Sequence, residues 1–505
     1  MFGKIKYILI LFIFVLVVTS ASILFMNSKT SSLQTELSQE VQAMPLSVEG
    51  TFPKWLNGVF VRNSSIPVYK EGSQISHHFD GIAMLHNFTF DQGNITYTNR
   101  FLLSDAYDSV INKNSSDYGG FASNQSFWKK LLSYFVDSSK WVMNASVNVF
   151  KYGNEYVALT EAPGPACFDL HTLETKGTFT FDDDLPKSRC FESAHPHLDF
   201  TTKETLNYLI EFGQESKYVL YGMEEGSSTR NVIAKIPVEH PAYMHSFAMT
   251  KNYLILTEFP FVVRPLDLVI TNKSFIHNFK WEPERGTKFL VVERSTGKLI
   301  SQAKTESFFS WHHANAFESE SGDLIIDLVA FPDLEMMNGI FPQASNMANK
   351  QAWLTRLMRY HFSLNKHKIS SEILLEKVME FPRIDDRLDG KPYRYLYLTL
   401  SNDLDNTFSM SELGKFDLET KQLTIWSAPG HKVLEPVFVP SPESQTEDDG
   451  VILTVIHDVK KNSFLVALDG RTFKEIARAK MPWHIPSSFH GQYFSESTFV
   501  EKKLL

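Results

Sequence analysis

A chain of 505 residues with 43% hydrophobic and 21% charged residues has an ordinary globular balance and ample material for a buried core, which excludes a disordered protein. A formal net charge of −9 with no long basic block excludes a phosphate-backbone footprint, so no nucleic-acid partner is expected. Cys167 and Cys190 are the only cysteines, which excludes a disulfide framework and a cysteine-based zinc site; one bridge stays open, and any metal must be held by nitrogen and oxygen ligands.

Lys4 and Lys6 precede an apolar run from Tyr7 to about Met26, the pattern of an export or anchor signal. Thr19-Ser20-Ala21 offers a small-residue cleavage site, whereas the full run of about 20 residues is long enough to span a bilayer. The expectation is a signal anchor over residues 1–26 and a membrane-anchored protein, or an exported one if the segment is removed. Residues 27–45, rich in Ser, Gln, Thr and Glu, read as a flexible tether, and residues 46–505 as one folded domain.

From about residue 50 short apolar or aromatic runs alternate with turn residues, and amphipathic helices are few, so an all-β fold is predicted. One unit recurs: an apolar strand, a polar turn often of the form Asp/Glu-x-x-Thr, then a second strand. Copies fall at Asp91, Asp169, Glu224, Glu293, Ser363, Asp417 and Asp469. Seven hairpins at such intervals predict a seven-bladed β-propeller, each blade a short antiparallel sheet around a common axis, with a helical or loop cap over that axis. If each hairpin is the outer edge of a blade, the chain crosses next to the inner strand of the following one. His195, His245, His312 and His490 then follow the hairpins at Asp169, Glu224, Glu293 and Asp469 by 26, 21, 19 and 21 positions. Glu380 and Glu435 follow theirs by 17 and 18. A random scatter of core histidines would not keep that phase.

Two apolar segments suit a membrane surface beside a tunnel mouth, or packing on the protein's own core. In residues 126–142, Trp128, Leu131, Leu132, Phe135 and Val136 share one helical face; residues 258–270 are the second. The 41 Phe, 18 Tyr and 8 Trp serve either as β core or as the wall of an apolar ligand site.

A histidine that donates one ring N–H to a carboxylate is fixed in tautomer and made a better metal ligand. Glu161, Glu380 and Glu435 suit that supporting role, because they sit in apolar contexts (VALTEAP, VMEFPRI, KVLEPVF) where an unpaired carboxylate is costly to bury. Imidazole suits Zn, Cu, Fe or Ni, so donor type leaves the ion open. The chain has 17 histidines, most of which must be surface or satisfied core; His77, His78 and His86 are placed there. Strand alternation sends neighbours to opposite faces, so spacing alone leaves His195 against His197 and His312 against His313 undecided.

The segments SAHPHLDF, YMHSFAMTKNYLILTEFP, SWHHANAFE and IPSSFHGQYF resemble the four ligand motifs of the carotenoid cleavage oxygenases. HHFDGIAMLHNFTF is similar to that family's FDG-x-x-x-LH signature, and EDDGVILTV to its late acidic-glycine motif; the likeness runs in order from about residue 46 to about residue 494. The resemblance implies a seven-bladed propeller in which His195, His245, His312 and His490 bind Fe(2+). It places Glu161 behind His245, Glu380 behind His312 and Glu435 behind His490, with no catalytic residue beyond the metal centre. It also implies Fe(II)-dependent cleavage of a conjugated alkene in a carotenoid or apocarotenoid-like substrate by O2, giving two carbonyl products. Stilbene-type cleavage and retinoid isomerase-like chemistry are the family's other activities. Near the O2 site Val147 stands where many plant and bacterial relatives carry Thr, and Arg62-Asn63-Ser64-Ser65-Ile66-Pro67 stands where many read Arg-Asn-Gly-Pro. A reading from a different class is a non-catalytic propeller with a structural metal. A serine hydrolase is disfavoured, because no G-x-S-x-G elbow occurs. No protein partner is inferred.

Overall fold

The computed structural model describes residues 34–35, 39–70, 73–74, 78–113, 120–123, 142–162, 164–187, 190–339, 354–401, 410–485 and 488–495. It is all-β: antiparallel sheets dominate, and the α-helices among the described residues are the short Asp105–Tyr107, Pro265–Ile270 and Glu335–Gly339. Cys167 and Cys190 are both buried free thiols, so the possible bridge is not formed.

All seven expected hairpins are present. They join Ile82–Asp91 to Asn94–Phe101, Ala166–Phe168 to Thr175–Thr178, Ser216–Met223 to Asn231–Val238, Thr287–Glu293 to Leu299–Thr305, Thr355–Ser363 to Lys368–Arg383, Glu412–Asp417 to Gln422–Ser427, and Ser463–Asp469 to Glu475–Lys480. The Asp-x-x-Thr pattern explains the turns. Asp169 Oδ1 accepts from the amides of His171 and Thr172 and from the Thr172 hydroxyl. Asp417 and Asp469 cap their own turns the same way through Thr420 and Thr472. The residue after each Thr is left-handed: Leu173 at φ 58°, Lys421 at 58°, Phe473 at 55° and Gly297 at 68°. A carboxylate-capped turn closed by a left-handed residue is a standard way to reverse an antiparallel pair.

At the end of each sheet away from its hairpin lies one inner strand or strand pair: Ser488–Ser495, Asn148–Tyr152, Cys190–Glu192 with His197–Leu198, Ala248–Met249, His313–Glu318, and His431–Val433 with Val437–Pro440. The remaining inner strand is the second half of Lys368–Arg383, within a seven-stranded sheet. Residues 368–377 of that strand pair with Thr355–Ser363, and residues 378–383 pair with Tyr395–Ser401. The blade count rests on dividing the sheet there. The chain ends are woven together: Ser488–Ser495 pairs with Gly58–Ile66, while Ser47–Gly50 extends the edge strand Glu475–Lys480.

Two expectations about the N-terminal region are corrected. Residues 41–45, read as the end of a flexible tether, form the strand Val41–Pro45 on the edge of Asn94–Phe101, where the Asn99 side chain accepts from the Val41 amide. The membrane-anchored or exported location is also not supported: among the described residues no helix is long and apolar enough to cross a membrane, and the run of residues 1–26 lies outside them. Residues 126–141 and His77 lie outside the described residues as well.

The acidic-glycine motif welds neighbouring sheets. Glu447 accepts from the amides of Arg394 and Tyr395, and Asp449 takes Arg471 at 2.6 Å. Asp448 Oδ2 accepts from the buried Lys415 Nζ at 2.6 Å, and Nζ also donates to the Gly470 carbonyl at 2.7 Å. A Cβ at position 450 would lie 2.3 Å from the Val439 carbonyl oxygen, which is why glycine ends the motif. Lys415→Ala strands the Asp448 charge in a half-dry site, so a loss of about 3 kcal/mol in urea unfolding is expected. A variant as stable as the parent would remove the welding role.

Candidate metal centre

Four inner strands deliver the histidines. His195 lies between Cys190–Glu192 and His197–Leu198, His245 precedes Ala248–Met249, His312 precedes His313–Glu318, and His490 lies within Ser488–Ser495. Their rings converge: Nε2 of His195 and His245 are 2.9 Å apart, Nε2 of His312 and His490 are 3.2 Å apart, and the four candidate ligand atoms all lie within 4.8 Å of one another.

Three of the rings are fixed from behind. His245 Nδ1 donates to Glu161 Oε1 at 2.5 Å, His312 Nδ1 to Glu380 Oε2 at 2.6 Å, and His490 Nδ1 to Glu435 Oε1 at 2.8 Å. Each carboxylate is itself held. Tyr243 donates its hydroxyl to Glu161 at 2.8 Å, the Phe381 amide donates to Glu380 at 2.6 Å, and the Gly491 amide donates to Glu435 at 2.9 Å. Phe381 sits at φ 53°, an unfavourable conformation for an aromatic residue, where the strand bulges to aim Glu380 at His312. His195 has no carboxylate of this kind among the described residues; its amide donates to Ser193 Oγ, and that hydroxyl donates to the His245 carbonyl.

Burial keeps His195 and His490 neutral. It lowers His195 well below the usual histidine range, and it lowers His490 to about 4 even though Glu435 pulls the other way. Glu435 is driven up by burial but held down at about 2 by His490, Arg383 and Arg62. A neutral ring that gives its Nδ1 proton to a carboxylate turns the lone pair of Nε2 toward the centre. In His312 and His490, both fixed in this way, such lone pairs lie 3.2 Å apart and repel unless something positive lies between them. Imidazole–metal bonds of about 2.0–2.1 Å hold neighbouring ligand nitrogens about 3 Å apart, so the donor set fits one transition-metal ion.

The neighbouring histidines are already committed. His197 donates from both nitrogens, to Asp389 at 2.7 Å and to the Phe247 carbonyl at 3.0 Å; burial opposes its charge, but these acceptors outweigh burial and raise its pKa. His313 Nδ1 lies 2.8 Å from Ser246 Oγ, which donates its own proton to the Trp311 carbonyl, so the ring donates there and accepts from Thr257 at Nε2. Burial lowers His313 to about 3. His86 is buried with Nδ1 2.8 Å from the Tyr97 hydroxyl. Val147 is half-buried beside the ring, and its carbonyl accepts from the His490 amide at 3.2 Å.

Several supporting residues escaped the sequence reading. Arg62, fully buried in Gly58–Ile66, donates to the Glu435 and Phe489 carbonyls at 2.9 and 2.7 Å and to Ser488 Oγ at 2.9 Å, bracing both sides of His490. The strand runs straight through the position of the missing glycine as far as Ile66. A charged residue in an uninterrupted buried strand was the available signal. Arg383 reaches Glu435 at 3.2 Å from the other side. Asp80, the acid of the FDG motif, accepts from the Ala122 amide and from the Ser123 hydroxyl at 2.7 Å, and so holds Phe121 in an aromatic wall. Phe79 packs 5.1 Å from Phe121, 5.6 Å from Trp311 and 5.0 Å from Phe489, and Trp311 lies 5.2 Å from His245 between ring centroids.

The family model described as retinal pigment epithelial membrane protein matches residues 32–495. The human mitochondrial carotenoid-cleaving dioxygenase is 30% identical over 527 residues, covering 91% of this chain and 90% of the relative. The chain belongs to the carotenoid cleavage oxygenase family. Chicken beta,beta-carotene 15,15'-dioxygenase, another relative in the family, is 28% identical over 512 residues, 89% of this chain and 95% of its own. A cobalt-substituted Synechocystis enzyme shares the fold at a TM-score of 0.78 and 24% identity, covering 91% of this chain and 97% of its own. As a carotenoid cleavage oxygenase the chain is an enzyme of the oxygenase class, built on a fold whose solved relatives include one holding a metal.

Proposed function

We propose that the protein is an Fe(II)-dependent dioxygenase that cleaves a conjugated alkene of a carotenoid or apocarotenoid-like substrate with O2. The observation that carries this reading is the ring of four imidazoles facing one point, with an aromatic wall on one side of it. Such a set holds Fe(II) with no anionic ligand, and a bound Fe(II) would supply the dioxygen chemistry. His195, His245, His312 and His490 are the ligands in this reading, while Glu161, Glu380 and Glu435 fix three of the rings. Trp311, Phe79, Phe121 and Phe489 exclude water and lay a flat conjugated chain beside the ring. Tyr243 spends its hydroxyl on Glu161, so it does not serve to hold a phenol as stilbene-type cleavage would need.

The test is anaerobic incubation of iron-loaded protein with an apocarotenal and, separately, with a stilbene, followed by labelled O2 and mass analysis. Two carbonyl products from the apocarotenal, each carrying label, are expected. Metal bound without turnover of either substrate would favour the binding-protein reading, and an unlabelled isomer would favour isomerisation.

The substrate of such an enzyme is lipid-soluble, and we propose that the helix Pro265–Ile270 meets a lipid surface. Leu266 and Ile270 are 64% and 60% exposed, far more than packing on the core would leave. Replacing both by Ser is expected to lower liposome co-sedimentation about tenfold. Unchanged co-sedimentation would remove this contact.

A further inference from the structure

Strand alternation returns every second side chain to one face, so the residues two positions beyond the ring histidines should meet again below them. They do. His197, Phe247, Ala314 and Gln492 line one pocket, whose inner end is formed by His195, His312 and His490. None of the aromatic wall residues Phe79, Phe121, Trp311 and Phe489 lines it. The ring therefore has one face under the aromatic wall and another on this pocket, where charged side chains stand among Phe150, Leu198, Phe200 and Phe381.

Charged groups grade this face outward from the ring. Glu435 stands beside His490, and Arg383 bridges Glu435 at 3.2 Å and Asp386 at 3.4 Å. Asp386 also accepts from Gln492 Nε2 at 2.6 Å, and Asp389 pairs with His197 at 2.7 Å. Three carboxylates, Glu435, Asp386 and Asp389, line the pocket with one guanidinium, that of Arg383. Of the four ring histidines, His195 is the least buried and, among the described residues, the one without a carboxylate behind it.

We propose that a hydrated divalent cation reaches the ring through this pocket, along its charged side chains, and that His195 is the ligand that turns aside to admit it. The inference rests on the reading of the ring as a metal centre. Passing a doubly charged ion across the aromatic wall would strip its water with nothing in exchange, a large desolvation cost. In the pocket, Asp389, Asp386 and water replace lost hydration in steps, as oxygen donors do for hard cations. Three carboxylate-fixed rings then wait preassembled, and His195 closes the set.

The test follows uptake of Co(II) ions by the full-length chain after metal removal, read from cobalt visible absorption, with final cobalt per chain measured separately. Leu198→Trp, which narrows the pocket, and Asp386→Asn, which removes a carboxylate, are expected to slow uptake about tenfold at unchanged final cobalt. Phe121→Trp, on the aromatic face, is expected to load at the parent rate. Variants in the pocket loading at the parent rate, with Phe121→Trp slowed, would overturn the proposal. The unaltered protein gives an independent reading: uptake that slows as ionic strength rises supports attraction by the pocket, and uptake indifferent to salt overturns it. No cobalt bound at equilibrium would instead overturn the metal centre itself.

Discussion

His312→Ala is expected to abolish both metal binding and turnover while leaving the protein folded. Its ring is one of four converging on a single point, and removing it takes away one nitrogen ligand and leaves Glu380 buried with its best donor gone. Iron measured by atomic absorption should fall from about one ion per chain to background. Circular dichroism should be unchanged, because the strand His313–Glu318 is held by its own ladder with Leu324–Ala330. Full iron content in the variant would defeat the proposal that these histidines hold the ion.

Glu435→Gln is the second large effect, and it separates the carboxylate's charge from its shape. Glutamine can still accept from His490 Nδ1, but it no longer balances Arg62 and Arg383, which approach it from two sides in a fully buried site. Loss of such a supporting carboxylate costs about 10–100-fold in metal affinity or activity. Leaving guanidinium groups buried beside a neutral partner adds about 3 kcal/mol of destabilisation, visible in urea unfolding. An affinity within twofold of the parent would mean that Glu435 orients nothing. Glu161→Gln serves as the comparison, since no arginine leans on Glu161 among the described contacts, and its loss should show in affinity alone.

The hairpins were legible in the sequence because their signal is local: a capping Asp, a Thr three residues on and a left-handed residue after it leave a mark within five positions. The phase of the histidines was legible for a related reason, since a regular hairpin sets where the next inner strand begins. What could not be read was long-range. Val41–Pro45 has a polar, Pro-ended sequence that resembles a linker, and only the edge of Asn94–Phe101, some fifty residues away, makes it a strand. Arg62 looks like a surface residue until the Glu435 and Phe489 carbonyls, both more than 370 positions away, come into place. The choice between His195 and His197, and between His312 and His313, follows in the fold from which nitrogens are already occupied. Asp389, Phe247, Ser246 and Thr257 supply that information, and no spacing rule points to them.

The pairing of Ser488–Ser495 with Gly58–Ile66 also sets a timetable for biosynthesis. From position 66 to position 490 there are 424 residues, so at about 5–20 residues per second a ribosome needs roughly 20–85 s to deliver the partner strand. Throughout that interval one edge of Gly58–Ile66 presents unpaired backbone and a bare Arg62 guanidinium, the kind of edge that other strands pair with by mistake. A nascent chain exposes this edge until Ser488–Ser495 has been made, and the ring of four histidines is incomplete until then.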